Sequence, residues 1–322
     1  MKKILITGAG GFIGRALSRR VALFNNVISI YHRNQGKSDD HNIIPEQVDL
    51  SDRDSVFAVC RKYSPDIIIH CAGIAHQKAG SVTFDDYMQA NSLATQNLAE
   101  AGFESNNDLR FIFLSSVSVY GEPADNALIT ENSLCLPSSD YAMSKLDAEE
   151  RLIRLFKKQQ IKNLDILRVA PVYDYRFRMN LNRRVLAPNR LIYLRFGSGA
   201  QKISALARPN LVDFICFLVK QDTHASQLNI MNVCDFESYT FNQIIRVFKT
   251  SGVCPARPVV PVPLITVRGL TRAAGLFFPD KKKWLNSCCD KLAYDLVFDN
   301  TKMRKTGFKA KHSLKTVFNS SD

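Results

Sequence analysis

No stretch of this 322-residue sequence stays uncharged for anything near the roughly 18 residues that a membrane-crossing helix needs, so a hydrophobic span is excluded. Met1-Lys2-Lys3 before Ile4-Leu5-Ile6 imitates the start of a signal peptide, but four glycines between positions 8 and 14 cut the apolar region short and no cleavage site follows. The eight cysteines, at 60, 71, 135, 216, 234, 254, 288 and 289, include no C-x-x-C pair and have few other ligand types near them, so a structural metal is not expected. Most sit among apolar neighbours, as reduced thiols do, which points to the cytoplasm. Repeats and low-complexity segments are absent. So is any basic stretch interleaved with aromatics, which argues against a nucleic-acid partner. Acidic residues are in short supply: 43 Lys and Arg against 30 Asp and Glu leave a net charge of +13. That excess attracts phosphate-bearing small molecules first and an anionic membrane surface second.

What is present is organised around Tyr141-Ala142-Met143-Ser144-Lys145. The good helix formers 146–150 follow, so Tyr141 and Lys145 are expected on one face of a helix, one turn apart. An ammonium beside a phenol is expected to lower its pKa and make it an acid/base near neutrality. Upstream, Phe111-Ile112-Phe113-Leu114 reads as a buried parallel strand that delivers Ser115-Ser116 at its carboxyl end, where α/β folds bind ligands. Ser116, Tyr141 and Lys145 together make a ketone/alcohol redox site.

The chain opens with a strand over 3–7, then Gly8-Ala9-Gly10-Gly11-Phe12-Ile13-Gly14, then a helix over 15–24. Glycines at 8, 11 and 14 between a strand and a helix allow a tight turn and close approach of a pyrophosphate. A second strand, 27–31, ends in Tyr31-His32-Arg33-Asn34 without the acid that binds a free adenosine ribose. That favours NADP(H), with Arg33 as clamp and Arg15 beside it, over NAD(H). Strands are read at 47–50, 66–71 and 164–169, and helices at 52–63 and 84–102, with Asn91 inside the latter. The small turn Ala72-Gly73 lets a cofactor ribose pass close to the backbone. This alternation predicts an α/β fold, a Rossmann-like doubly wound parallel sheet over 1–172. Residues 173–322 form a smaller C-terminal substrate lobe interleaved with the sheet edge. In it the helix at 264–278 reads as too apolar to be exposed, and burial is favoured over a peripheral membrane contact made with the Lys281-Lys282-Lys283 cluster.

Together these residues resemble the extended short-chain dehydrogenase/reductase family. The pieces are Thr7 to Gly14, Asp49-Leu50, Cys71-Ala72-Gly73, Asn91, Ser115-Ser116 before Val119-Tyr120-Gly121, Tyr141 with Lys145, and Leu167-Arg168. Asn210-Leu211-Val212-Asp213, Val260-Pro261-Val262-Pro263, Asp299-Asn300-Thr301-Lys302 and Gly307-Phe308 resemble its nucleotide-sugar branch, nearest to bacterial NDP-sugar 4-ketoreductases and 4-epimerases of surface-polysaccharide synthesis. The resemblance implies a nucleotide-sugar substrate, a UDP-sugar above all, and a homodimer. It also implies that Ser116 bonds the sugar 4-oxygen, Tyr141 transfers the proton, and Lys145 binds the nicotinamide ribose. Gly8, Gly11, Phe12, Ile13 and Gly14 would hold the pyrophosphate, with Asp49 and Leu50 at the adenine.

The sequence departs from that pattern in places. Val169 and Asp174 stand where the family carries Pro and Gly, and Ile203 where an Arg is expected, leaving Lys202, Arg208 and Arg183 as candidates for the substrate phosphates. Val117 and Ser118 replace the acidic pair that dehydratases use, which disfavours dehydration. The expected activity is a 4-ketoreductase; the alternatives are a UDP-sugar 4-epimerase of the UDP-glucose/UDP-N-acetylglucosamine type and a non-catalytic dinucleotide-binding regulator.

Overall fold

The computed structural model describes residues 1–32, 40–75, 82–122, 125–221, 226–252, 257–279 and 282–319. The first half alternates β1 (Lys3–Thr7), α1 (Gly14–Ala22), β2 (Asn26–Tyr31), β3 (Ile43–Gln47), α2 (Arg53–Tyr63), β4 (Ile67–His70), α3 (Phe84–Tyr87), α4 (Ala94–Ser105), β5 (Arg110–Ser116), α5 (Asp140–Lys157) and β6 (Asn163–Val169). Short β7 (Val172–Tyr173), α6 (Met179–Val185), β8 (Tyr193–Phe196), β9 (Lys202–Ile203) and β10 (Leu206–Ala207) follow, then α7 (Arg208–Lys220), β11 (Gln227–Val233), β12 (Tyr239–Thr240), α8 (Phe241–Thr250) and β13 (Val259–Val262). The chain closes with α9 (Leu264–Phe277), α10 (Lys282–Ala293), α11 (Thr301–Lys305) and α12 (Leu314–Asn319). Residues 1–121, 137–168 and 212–231 make one compact unit; 122–136, 169–211 and 232–322 make a second.

The first unit is built on a Rossmann-like sheet of strand order β11-β6-β5-β4-β1-β2-β3. The pairs β3-β2, β2-β1, β1-β4 and β4-β5 all run parallel. Strands with no charged residue between Ile4 and Thr7, Val27 and Tyr31, or Ile67 and His70 are buried on both faces, as central parallel strands must be. Leu5, Ile28, Ile68, Phe111 and Ile166 pack in one core cluster with Val56, Leu98 and Leu152 from the helices. The order reverses between β1 and β4, and that switch point opens a crevice at the carboxyl ends of the strands.

Two elements differ from expectation. The third strand is Ile43–Gln47 and not 47–50, because Ile43 and Ile44 pair with Val27 and Ile28. Pro45 is tolerated there since β3 is an edge strand. Asp49 and Leu50 fall in the turn that follows, where the Asp49 carboxylate accepts from the Ser51 amide at 2.9 Å. The helical stretch from Phe84 is continuous but contains one π-helical turn, Met88–Leu93, that carries Asn91.

The second unit holds the short pairs β7-β10, β9-β12 and β8-β13, and residues of β7, β10 and β12 bond a buried carboxylate. Asp235 accepts from Tyr173 and Tyr239 hydroxyls at 2.8 and 3.0 Å and from Asn210 and the Ala207 amide at 2.7 and 3.0 Å. Arg208 pairs with Asp174 at 2.5 Å, Ile203 is buried in β9, and Lys202 and Arg183 are exposed.

Candidate active site

Gly8 leaves β1 with φ +67°, a conformation that an L side chain resists. A Cβ there would also stand 2.8 Å from the Ala72 amide, and one at Gly14 would stand 2.2 Å from the Gly8 carbonyl oxygen. The Gly11 amide donates back to that carbonyl at 2.9 Å, closing the turn. Phe12 and Ile13, both half-buried, lead into α1, whose first turn has neither a side-chain cap nor an acidic residue. Its first amides therefore suit an anion. This cradle fits the pyrophosphate of a dinucleotide.

The next strand end is fixed by a chain of hydrogen bonds whose direction follows from counting hydrogens. Thr95 Oγ1 donates its only hydrogen to the Asn91 carbonyl at 2.6 Å, so it must accept from His70 Nε2 at 2.9 Å. His70 Nδ1 then accepts from Thr7 Oγ1 at 2.7 Å, which itself accepts from the Ala72 amide at 3.1 Å. Burial, with the Lys145 charge nearby, pulls His70 down to about 3, so the ring is neutral, as this chain requires. Asn91 is held on both sides: Oδ1 accepts from the Ile74 amide at 2.7 Å, and Nδ2 gives both hydrogens, to the Ile74 carbonyl and to Ser144 Oγ, each at 3.0 Å. A Cβ at Gly73 would lie 2.9 Å from Asn91 Oδ1 and 3.4 Å from Lys145 Nζ. The bare Gly73 backbone, Asn91 and Lys145 thus share one small space.

Ser116 ends β5, and Tyr141 and Lys145 sit in the first turns of α5, which Ser139 caps through the Ala142 amide. Ser116 Oγ accepts from the Ser118 amide at 3.2 Å and the Ser118 hydroxyl at 2.9 Å. With both lone pairs taken, its hydrogen is the part left to give, and the Ser116 hydroxyl holds down the pKa of the Tyr141 phenol. Lys145 donates to the Leu114 carbonyl at 3.0 Å and lies 4.7 Å over the Phe113 ring. Burial pulls its ammonium down to about 8 against the opposing pull of Cys71 and Glu149. The expected lowering of Tyr141 by Lys145 is not found. Burial raises the phenol above its ordinary value, and the Ser116 hydroxyl opposes that rise.

The sequence profile of the NAD dependent epimerase/dehydratase family matches residues 4–234. The chain belongs to this family. A UDP-glucose 4-epimerase of Vibrio cholerae is 30% identical over 241 residues, 72% of this chain and 70% of that protein. A dTDP-glucose 4,6-dehydratase of Neisseria meningitidis is 32% identical over 168 residues, covering 46% of this chain and 47% of the dehydratase. Among solved structures, a UDP-Glc/GlcNAc 4-epimerase of Campylobacter jejuni superposes with TM-score 0.74 at 20% identity over 100% of this chain and 98% of that one. A UDP-glucuronic acid 4-epimerase of Bacillus cereus, in complex with UDP-glucuronic acid and NAD, gives 0.73 at 20% identity over 99% and 97%. At that identity the likeness is one of fold.

Within this family member the sequence reading missed Glu149 and His70, which hold the site from behind, and gave Arg168 no role. Glu149, one turn beyond Lys145 on α5, accepts from Ser115 and from Arg168, whose guanidinium Nη2 approaches to 2.7 Å. Arg168 also lies 4.9 Å over the Tyr120 ring. Strands β5 and β6 are thereby tied to the helix that carries Tyr141. A carboxylate in phase with the apolar face of α5 was the available signal. His70, one polar residue closing an all-isoleucine strand, was another. Asp49, expected at the adenine, is half-exposed, 3.6 Å from His32 Nε2, and the Ser51 amide first of all holds it below the usual carboxylate range. Leu50 packs against the core. Arg33 lies outside the described residues.

Proposed function

We propose that the chain oxidises and reduces carbon 4 of a nucleotide-activated sugar, a UDP-sugar, as a 4-epimerase. The observation that carries the chemistry is Ser116 at the end of β5, its lone pairs taken by Ser118, together with Tyr141 one helical turn from the buried Lys145 ammonium on α5. The uncapped α1 start would hold the cofactor phosphates, and the Lys145 ammonium beside the bare Gly73 backbone a ribose. When bound, the nicotinamide supplies the hydride chemistry. Ser116 gives its hydrogen to the sugar 4-oxygen, and Tyr141 takes the proton of the 4-hydroxyl as carbon 4 is oxidised and returns it as carbon 4 is reduced. Lys145 commits one N–H to Leu114 and keeps others for the ribose hydroxyls. Support for the epimerase comes from the Vibrio relative, matched over most of both chains.

A second reading is a 4-ketoreductase using NADP(H). It is supported by β2, which ends at Tyr31 and His32 with no acid to bind a free ribose hydroxyl. It is supported as well by the net charge of +13. One experiment separates the two. Purified protein given UDP-glucose or UDP-N-acetylglucosamine without added cofactor should form the 4-epimer. Stoichiometric NADPH consumption with a 4-keto sugar nucleotide, and no epimer, would establish the reductase instead. In either assay Tyr141→Phe should keep the fold and lose about 10²–10⁴-fold in turnover. A Phe variant with near wild-type turnover removes Tyr141 from the chemistry.

A further inference from the structure

The burial expected of the apolar helix at 264–278 does not occur. Along α9 only Gly275 is buried, while Ile265, Leu270, Leu276 and Phe277 are between 72% and 83% exposed. At about 100° per residue, Ile265, Leu276, Gly269, Ala273, Phe277 and Leu270 follow one another around an arc of about 140°. Thr266 alone interrupts it, with its hydroxyl turned back to the Pro263 carbonyl at 2.6 Å. The opposite side of the helix is the packed one. There a Cβ on Gly275 would come 3.3 Å from Lys282 Cγ, so α10 closes on α9 at this point. A contiguous apolar arc of this kind on a surface calls for something to cover it.

Charge identifies the cover. Arg268 and Arg272 flank the arc at one edge. With Lys282 they line a cavity of about 590 Å³ between α9 and α10, where Asp290 is the single acidic lining residue. Along the sequence 264–293 six Lys and Arg stand against two Asp; Lys291 is held by Glu122 at 2.5 Å, and Arg268, Arg272 and Lys282 are the cations at the cavity. A second copy seated face to face would bring these cations onto themselves. A phosphate-rich surface over an acyl layer meets both the arc and its charged border. At 14 residues α9 is about 21 Å long, too short to cross a bilayer and long enough to lie in its interface. No helix among the described residues is long and apolar enough to cross a membrane.

We propose that α9 and α10 dock the chain on an anionic bilayer surface, with Ile265, Leu270, Leu276 and Phe277 entering the acyl boundary and Arg268, Arg272 and Lys282 holding lipid phosphates. The test is flotation of the purified full-length chain with phosphatidylcholine vesicles and with vesicles that also contain phosphatidylglycerol. Binding is expected to the mixed vesicles and to weaken as salt is raised from roughly 0.1 to 1 M, over which screening shortens from about 10 to 3 Å. At about fivefold per cation, Arg268→Gln with Arg272→Gln should weaken partitioning roughly 30-fold. Leu276→Ser with Phe277→Ser should abolish it at unchanged melting temperature. If the serine pair melts early, the exposed arginine pair decides alone. Equal binding to both vesicle types, or binding to neither, overturns the proposal. So does sedimentation showing a dimer that the serine pair converts to monomer while vesicle binding persists, since the arc would then be a subunit contact.

Discussion

The Ser118 hydroxyl lies 2.9 Å from that of Ser116, and its own amide approaches the same oxygen at 3.2 Å. Two donors from one residue occupy both acceptor positions of Ser116 and leave its hydrogen to be given, and the Ser116 hydroxyl opposes the rise of the Tyr141 phenol. The 3₁₀ turn Val117–Tyr120 makes this geometry, because it folds residue 118 back over the end of β5.

Replacing Ser118 by Ala should therefore act through Ser116 and not through binding. One of the two donors remains, so we expect kcat to fall about 10-fold with KM little changed, against about 10²–10³-fold for Ser116→Ala. Ser118→Thr, which restores the hydroxyl, should recover most of the loss. An alanine variant that instead raises KM alone would show that Ser118 meets the substrate directly.

The sheet and the position of Tyr141 and Lys145 on one helix were legible because period and composition specify them locally. Isoleucine-rich strands bounded by glycine turns leave few alternatives to a parallel sheet. Other features were not legible, each for a physical reason. The pKa of Tyr141 depends on where an ammonium ends up, and Lys145 turned to the Leu114 carbonyl, a partner that no spacing rule provides. The third strand was misplaced because Pro45 reads as a breaker until one knows that β3 is an edge. Burial of α9 was inferred from its composition alone, yet a helix is covered only where a neighbour exists. Here α10 covers one side.

A buried cation at the site makes the chain less stable than it could be. Holding Lys145 at about 8 instead of its ordinary value near 10.5 means the folded state opposes its charge at neutral pH. Lys145→Met keeps most of the stem and removes that penalty, although it leaves the Leu114 carbonyl without this donor. Glu149 keeps Arg168 and Ser115 as partners. We expect the variant to melt no lower than wild type, and up to about 2 kcal/mol more stable, while turnover is lost. A clear drop in melting temperature would show that the ammonium stabilises the fold after all.

His70 sets the response to acid. Its ring is neutral in the folded chain down to about 3, whereas an unfolded chain protonates it near 6.5. Between those values the unfolded state binds one more proton than the folded state. The His70 contribution is thus fully present above about 6.5 and is lost as pH falls, at up to about 1.4 kcal/mol per pH unit. Carboxylates held low, such as Asp49 and Asp147, add to acid sensitivity only near and below their own ordinary range around 4. Burial raises the Asp235 carboxyl in both proteins, so between pH 6 and 5 it is the difference between wild type and a His70 variant that reports the histidine. His70→Gln, with a side chain that does not titrate there, should lower stability at neutral pH by breaking the links to Thr7 and Thr95. It should also flatten the pH dependence in that window. The measurement is chemical denaturation of both proteins at several pH values. Parallel curves for wild type and variant between pH 6 and 5 would mean that His70 takes up its proton without unfolding, and that the hydrogen-bond direction assigned from Thr95 to Ala72 is wrong.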